Sequence, residues 1–140
     1  MSTPLHHQSS LEDLDVHELY REAILEEYQH PQHRGRLANA DLTCSGKNAS
    51  CGDEVQMTIV LAGQQVQDLK WEGSGCAISQ ASMSLFAGEV VRRHLTLNEV
   101  CALTSHELLA WLGLPSITPG REKCLTLGLR TLQRAIAHQK

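Results

Sequence analysis

Three of the five cysteines stand where side chains can converge. Cys51 sits in Ala49-Ser50-Cys51-Gly52-Asp53, just ahead of an expected strand. Cys76 follows Gly73-Ser74-Gly75, between an expected hairpin and a helix, and Cys124 follows Arg121-Glu122-Lys123 in the expected first turn of the last helix. A helix N-terminus stabilises negative charge, so thiolate character is expected at Cys76 and Cys124. Gly52 permits a sharp turn, and residues two apart share a face when extended, so Cys51 and Asp53 can point to one side. Three thiolates and a carboxylate would complete a tetrahedral zinc site. The chain has no Cys-x-x-Cys, and spacing alone leaves a second reading open, because cysteine is also a small, commonly buried hydrophobe. That reading suits Cys101, among Val100, Ala102 and Leu103. Cys44, in an expected polar loop Leu42-Thr43-Cys44-Ser45-Gly46, reads as a bystander. A cysteine–histidine nucleophile pair is the enzymatic alternative. His30, His33, His94, His106 and His138 lie in no recognisable local signature and read as solvated.

Composition narrows the setting. A chain of 140 residues suits one domain. The formal charge is −4 and there is no basic block, so nucleic acid is excluded as an expected partner. Apolar runs fall far short of the roughly 20 residues a spanning helix needs, so no membrane association is expected. The odd cysteine count argues against a fully paired disulfide framework. The polar start Met1-Ser2-Thr3-Pro4-Leu5-His6-His7 does not resemble a signal peptide, so a cytosolic setting with reduced thiols is expected.

The elements that must position the cysteines can be read from periodicity. Residues 1–13 are expected to be a flexible lead-in, and 14–140 a single domain. Asp15 with Glu18 has capping-box spacing, and Val16, Leu19, Tyr20, Ala23, Ile24 and Tyr28 make one helical stripe ending near His30, ahead of Pro31. Residues 32–50 read as a loop-rich connection. Val55, Met57, Ile59 and Leu61 alternate as a strand, Ala62-Gly63-Gln64 turns, and Val66–Trp71 returns. A helix is expected over Ala77–Arg93, a short one capped by Thr96 with Glu99, and another capped by Ser105. Leu125, Leu129, Leu132 and Ile136 form the stripe of the last helix. Strands early and helices late predict an α+β fold, a small antiparallel sheet of about three strands covered by helices.

These residues together resemble the U-type iron–sulfur assembly proteins, the IscU, SufU and NifU N-terminal group, over about residues 17–138. The likeness is carried by Leu19-Tyr20-Arg21-Glu22-Ala23-Ile24-Leu25, Tyr28-Gln29-His30-Pro31 with Gly35, Asn48-Ala49-Ser50-Cys51-Gly52-Asp53, Gly73 to Ser84, and Arg121-Glu122-Lys123-Cys124. The resemblance implies a SufE/NifU-like fold with Cys51, Asp53, Cys76 and Cys124 as metal or cluster ligands. Lys123 stands where IscU-type members carry histidine, and the Arg-x-Lys-Cys form is the SufU pattern, associated with zinc and sulfur transfer. The IscU motif Leu-Pro-Pro-Val-Lys has only a partial echo in Leu114-Pro115-Ser116-Ile117. Cys76 and Cys124, however, are 48 positions apart, without the SufU insertion, and Ala49 replaces the family's proline.

The resemblance therefore implies a zinc-bound sulfur acceptor that takes persulfide from a cysteine desulfurase at Cys51 and serves downstream iron–sulfur assembly proteins or apo-proteins. Arg121 and Lys123 are expected to stabilise thiolate or persulfide charge or to dock the partner, or else to be a solvated helix end. Two alternatives accompany it: a scaffold holding iron or a transient [2Fe–2S] cluster on the same four ligands, and a binding module whose zinc only holds the fold.

Overall fold

The computed structural model describes residues 16–49, 52–113 and 116–139. The expected lead-in and the Asp15 cap fall outside them. Helix α1 (Val16–Gln29) is followed by three strands, β1 (Leu42–Asn48), β2 (Asp53–Ala62) and β3 (Gln65–Ser74). Helices α2 (Ala77–Arg93), α3 (Leu97–Ala102), α4 (Ser105–Leu112) and α5 (Pro119–Gln139) complete the chain. The sheet is antiparallel throughout, in the order β1-β2-β3. The fold is the expected α+β arrangement.

Alternation decides which face of the sheet is covered. Val55, Met57 and Ile59 of β2 are buried with Leu69 and Trp71 of β3, under the side chains of α2 and α5. The last-helix stripe Leu125, Leu129, Leu132 and Ile136 is buried throughout. Aromatics are few, yet Trp71 and Phe86 are the two largest fully buried side chains, and both sit in the centre of this core. Burying a side chain of that size contributes on the order of 2–3 kcal/mol.

Four expectations are corrected. First, residues 42–48 form strand β1, not a loop. Their apolar signal is weak because β1 is an edge strand whose burial alternates with only one strongly hydrophobic member, Leu42, and because Gly46 makes room for Thr131 of α5. Cys44 is consequently a half-buried strand residue opposite Met57. Second, Thr104, not Ser105, caps α4: its hydroxyl accepts from His106 N at 3.2 Å while Glu107 closes the box. Third, α5 begins at Pro119, so Cys124 lies in its second turn. Proline supplies the preset backbone angle and lacks the amide that a first helical position would leave unpaired. Fourth, Tyr28 of the α1 stripe is exposed whereas Ile24 is buried.

The strap between α1 and β1 is also ordered. Gly35 N donates to Trp71 O at 2.9 Å and Trp71 N donates to His33 O at 3.0 Å, so residues 33–35 run along the outer edge of β3. Trp71 Nε1 donates to Gln32 O at 2.7 Å and locks the strap to the core. No helix among the described residues is long and apolar enough to cross a membrane.

Candidate metal centre

Strand β2 opens the site. Its register places Asn48 opposite Asp53, and Gly52 N donates to Asn48 O at 2.8 Å, closing the β1–β2 connection. Gly52 has φ +74°, a conformation that glycine adopts without steric cost. Asp53 is thereby turned inward at the first position of the strand and is fully buried.

The β3–α2 junction brings the second ligand. Cys76 is the N-cap of α2, with extended backbone (φ −71°, ψ 165°). Its sulfur accepts from Ser79 N at 3.5 Å, and Ser79 Oγ donates back to Cys76 O at 3.0 Å. The cysteine thus occupies the position usually taken by Ser, Thr, Asp or Asn, with an amide and the positive end of a helix aimed at its sulfur. Cys76 N in turn donates to Asp53 Oδ1 at 3.0 Å, tying the two elements together. Gly75, at φ +149°, lets them meet: a Cβ there would sit on the Asp53 carboxylate and 2.7 Å from Ser79 Oγ.

Cys124 is supplied by α5 and is buried. One ligand atom each from Asp53, Cys76 and Cys124 lies within 4.8 Å of the other two. A tetrahedron with metal–sulfur bonds of ~2.3 Å has edges of ~3.8 Å, so an ion would draw these atoms together by at most about 1 Å. The Asp53 carboxylate supplies a further reason to expect one. Its Oδ1 takes the Cys76 amide, but its Oδ2 is buried with no hydrogen-bond partner among the described residues. A buried carboxylate oxygen left empty is costly, and a cation in the triangle would satisfy it. Two thiols and one carboxylate suit zinc or iron, and the donor set fits the group expected from the sequence.

Of the predicted site residues, the structure brings Asp53, Cys76 and Cys124 together. Cys51 lies outside the described residues, in the connection between Asn48 and Asp53. Arg121 and Lys123 are exposed on α5, and among the described residues neither makes an ion pair. Cys101, expected to pack as a buried hydrophobe, is instead exposed, because the short helix α3 turns Leu97 and Val100 inward and leaves Cys101 on its outer side. Burial pushes the Cys44 thiol up from 9.0 to about 11, partly opposed by the Arg134 charge, so Cys44 stays protonated. Sequence reasoning missed Gly75 as the contact that admits Asp53, and Ser79 as the partner of Cys76. The Gly-Ser-Gly run before Cys76 is the signal that could have exposed the first.

A small α+β protein with two thiols and a carboxylate, Asp53 and Cys124 buried and Cys76 half-buried, clustered at one end of its sheet is the class defined by this fold and site. Comparison with known proteins makes it specific. The sequence matches the family described as NifU-like N terminal domain over residues 19–140, and the chain belongs to that family. It is 29% identical over 137 residues to the zinc-dependent sulfurtransferase SufU of Bacillus subtilis (strain 168), covering 87% of this chain and 92% of the relative. It is 33% identical over 131 residues to the iron–sulfur cluster assembly scaffold protein IscU of Thermotoga maritima, covering 84% and 92%. Among solved structures, a candidate iron–sulfur cluster assembly scaffold for the SUF system from Fervidobacterium islandicum AW-1 superposes with a TM-score of 0.69 at 28% identity, covering 87% of this chain and 99% of that one. The N-terminal NifU-like protein of Brucella abortus shares the fold at 22% identity and a TM-score of 0.69, covering 85% and 92%.

Proposed function

We propose that this protein serves iron–sulfur cluster assembly as a zinc-holding sulfur acceptor that works with a cysteine desulfurase. The observation that carries the metal reading is the Asp53–Cys76–Cys124 triangle, together with an Asp53 carboxylate oxygen that has no hydrogen-bond partner among the described residues. Cys51, two positions before Asp53, is the fourth ligand on this reading and the residue that takes sulfur. Zinc, when bound, holds its cysteine ligands as thiolates. The chain's own residues do the rest. Asp53 supplies the oxygen donor, the Ser79 amide orients Cys76, and Gly52 gives the Cys51 connection its turn.

The transfer is a thiol–persulfide exchange. The Cys51 thiolate attacks the outer sulfur of the desulfurase's cysteine persulfide. The donor's S–S bond breaks, a new S–S bond forms on Cys51, and the donor leaves as a thiolate, with no external oxidant or reductant. Lys123 immediately before Cys124 supports this reading over cluster building, and Arg121 and Lys123 offer positive charge for the persulfide or for an acidic partner surface. Downstream assembly proteins or apo-proteins would then receive the sulfur.

A second reading, a scaffold on which a transient [2Fe–2S] cluster is built, is favoured by the short Cys76–Cys124 spacing and by the likeness to the Thermotoga maritima scaffold. One experiment separates them. The protein is purified anaerobically, zinc, iron and acid-labile sulfide are quantified, and a cysteine desulfurase is added. Persulfide on Cys51 is then read by alkylation and mass spectrometry, with Cys51→Ser as control. Stoichiometric zinc with persulfide on Cys51 is the expected result. Iron with sulfide and no zinc selects the scaffold. Zinc with neither persulfide nor desulfurase stimulation overturns both and leaves a structural zinc module.

A further inference from the structure

Resting on the metal reading of the triad, we infer that Arg34, Gln80 and Ser79 are positioning residues for the Cys76 ligand. They form one chain of hydrogen bonds from the protein surface to the backbone carbonyl of Cys76. Arg34 Nη1 donates to Gln80 Oε1 at 3.3 Å. Gln80 Nε2 donates to Ser79 Oγ at 3.5 Å, and Ser79 Oγ donates to Cys76 O at 3.0 Å. Every donor points the same way, from a fixed cation towards the ligand, so each bond polarises the next. Ser79 also directs its own amide at the Cys76 sulfur.

The outer end of this chain is anchored. The Arg34 guanidinium lies over the Trp71 ring, 4.7 Å from its centroid, and Trp71 is wholly buried. The backbone on both sides of Arg34 is bonded to Trp71 through His33 O and Gly35 N. The cation therefore cannot swing away without losing a stacking contact. The inner members are buried, Ser79 at 4% and Gln80 at 8% exposure. An amide side chain in a helix interface costs free energy unless its donor and acceptor are both used. An apolar side chain of the same length would fill the space at Gln80 without that cost. What the glutamine adds is the link between Arg34 and Ser79. Partners of this kind, one bond removed from a ligand, set ligand orientation and metal affinity.

The test uses the full chain loaded with zinc or with cobalt(II). Gln80→Met keeps the shape and removes the link; Ser79→Ala removes the inner hydroxyl; Arg34→Lys keeps the charge but loses the planar fork. Zinc release to a chromogenic chelator, the cobalt–thiolate absorption bands, and the thermal midpoint of the metal-free protein are measured. Gln80→Met is expected to speed zinc release roughly tenfold and shift the cobalt bands, with little change in the metal-free midpoint. Ser79→Ala, which also leaves the buried Gln80 amide without its acceptor, is expected to lower the midpoint but to speed release beyond what Leu132→Ala shows for the same midpoint loss. Arg34→Lys is expected to fall between them and the unaltered protein. Leu132→Ala, a remote core cavity, serves as the control for general loosening. Release and spectra identical to the unaltered protein in Gln80→Met and Ser79→Ala overturn the inference. So does faster release that only tracks the fall in midpoint, as in Leu132→Ala. If the unaltered protein takes up neither zinc nor cobalt, the metal reading itself fails and the inference falls with it. Uptake by the unaltered protein with unchanged variants overturns the inference alone.

Discussion

Replacing Gly75 with alanine should damage both the fold and the metal centre, and the two effects can be separated. At φ +149° an L-residue costs on the order of 1–3 kcal/mol. The new methyl would also press on the Asp53 carboxylate and on Ser79 Oγ, 2.7 Å away. Asp53 has no room to retreat, being fully buried with Oδ1 bonded to the Cys76 amide. Overpacking of that kind adds about 1–3 kcal/mol, for a total near ~4 kcal/mol. Gly63→Ala is the matched control, since Gly63 has φ +66° with nothing within 4 Å of a built Cβ. It should lose only the backbone term, about 1–2 kcal/mol. Urea denaturation of the metal-free proteins measures the stabilities, and chelator competition measures zinc affinity. Gly75→Ala should lose about 2 kcal/mol more than Gly63→Ala, and its zinc affinity should fall at least ~tenfold. Adding Asp53→Ala to Gly75→Ala should return part of the steric cost, a coupling that distant pairs do not show. Equal stability losses and equal zinc affinities in the two glycine variants would refute the role assigned to Gly75.

Other expectations concern parts of the molecule away from the triad. Burial raises the Cys44 thiol to about 11, so its alkylation by iodoacetamide should climb through that pH and not through 9. At pH 8, exposed Cys101 should therefore label before Cys44 in peptide mapping, and equal rates for the two would contradict the burial argument. Thr96→Ala removes the hydroxyl that accepts from Glu99 N at 3.0 Å and should cost ~1 kcal/mol in denaturation. The Thr104 hydroxyl and amide hold the Glu107 carboxyl below the ordinary glutamate range. Because the folded value is depressed, the α4 cap is intact above the unfolded value and is lost as pH falls through the folded one. Carboxyl NMR should show Glu107 titrating low, and Thr104→Ala should return it to the usual range. Leu132→Ala, fully buried on α5, should cost about 2–5 kcal/mol by calorimetry.

The strongly periodic segments were legible without coordinates. The α2 helix, the Leu125–Ile136 stripe and the Thr96–Glu99 box match the structure because each rests on local physics, side-chain spacing or a single capping bond. Strand β1 was not legible. Leu-Thr-Cys-Ser-Gly-Lys-Asn carries no strong alternation of its own, and it becomes a strand because β2 offers a complete ladder from Leu42 opposite Ile59 to Asn48 opposite Asp53. The strap at 33–35 was hidden for the same reason, since its bonds go to Trp71 in a distant strand.

The sequence by itself nominated the chemistry: element ends and the family resemblance pointed to Cys51, Asp53, Cys76 and Cys124, with Lys123 preceding the last of them. Only the tertiary structure decided how near they lie. The Asp53–Cys76–Cys124 triangle needs a strand start, a helix cap and the second turn of another helix to meet, and no local rule relates those three positions. Their meeting also depends on one missing side chain, at Gly75. Composition and spacing can nominate ligands. The free energy of burying them together is a property of the packed chain, and here that packing leaves Asp53 Oδ2 buried with no hydrogen-bond partner among the described residues.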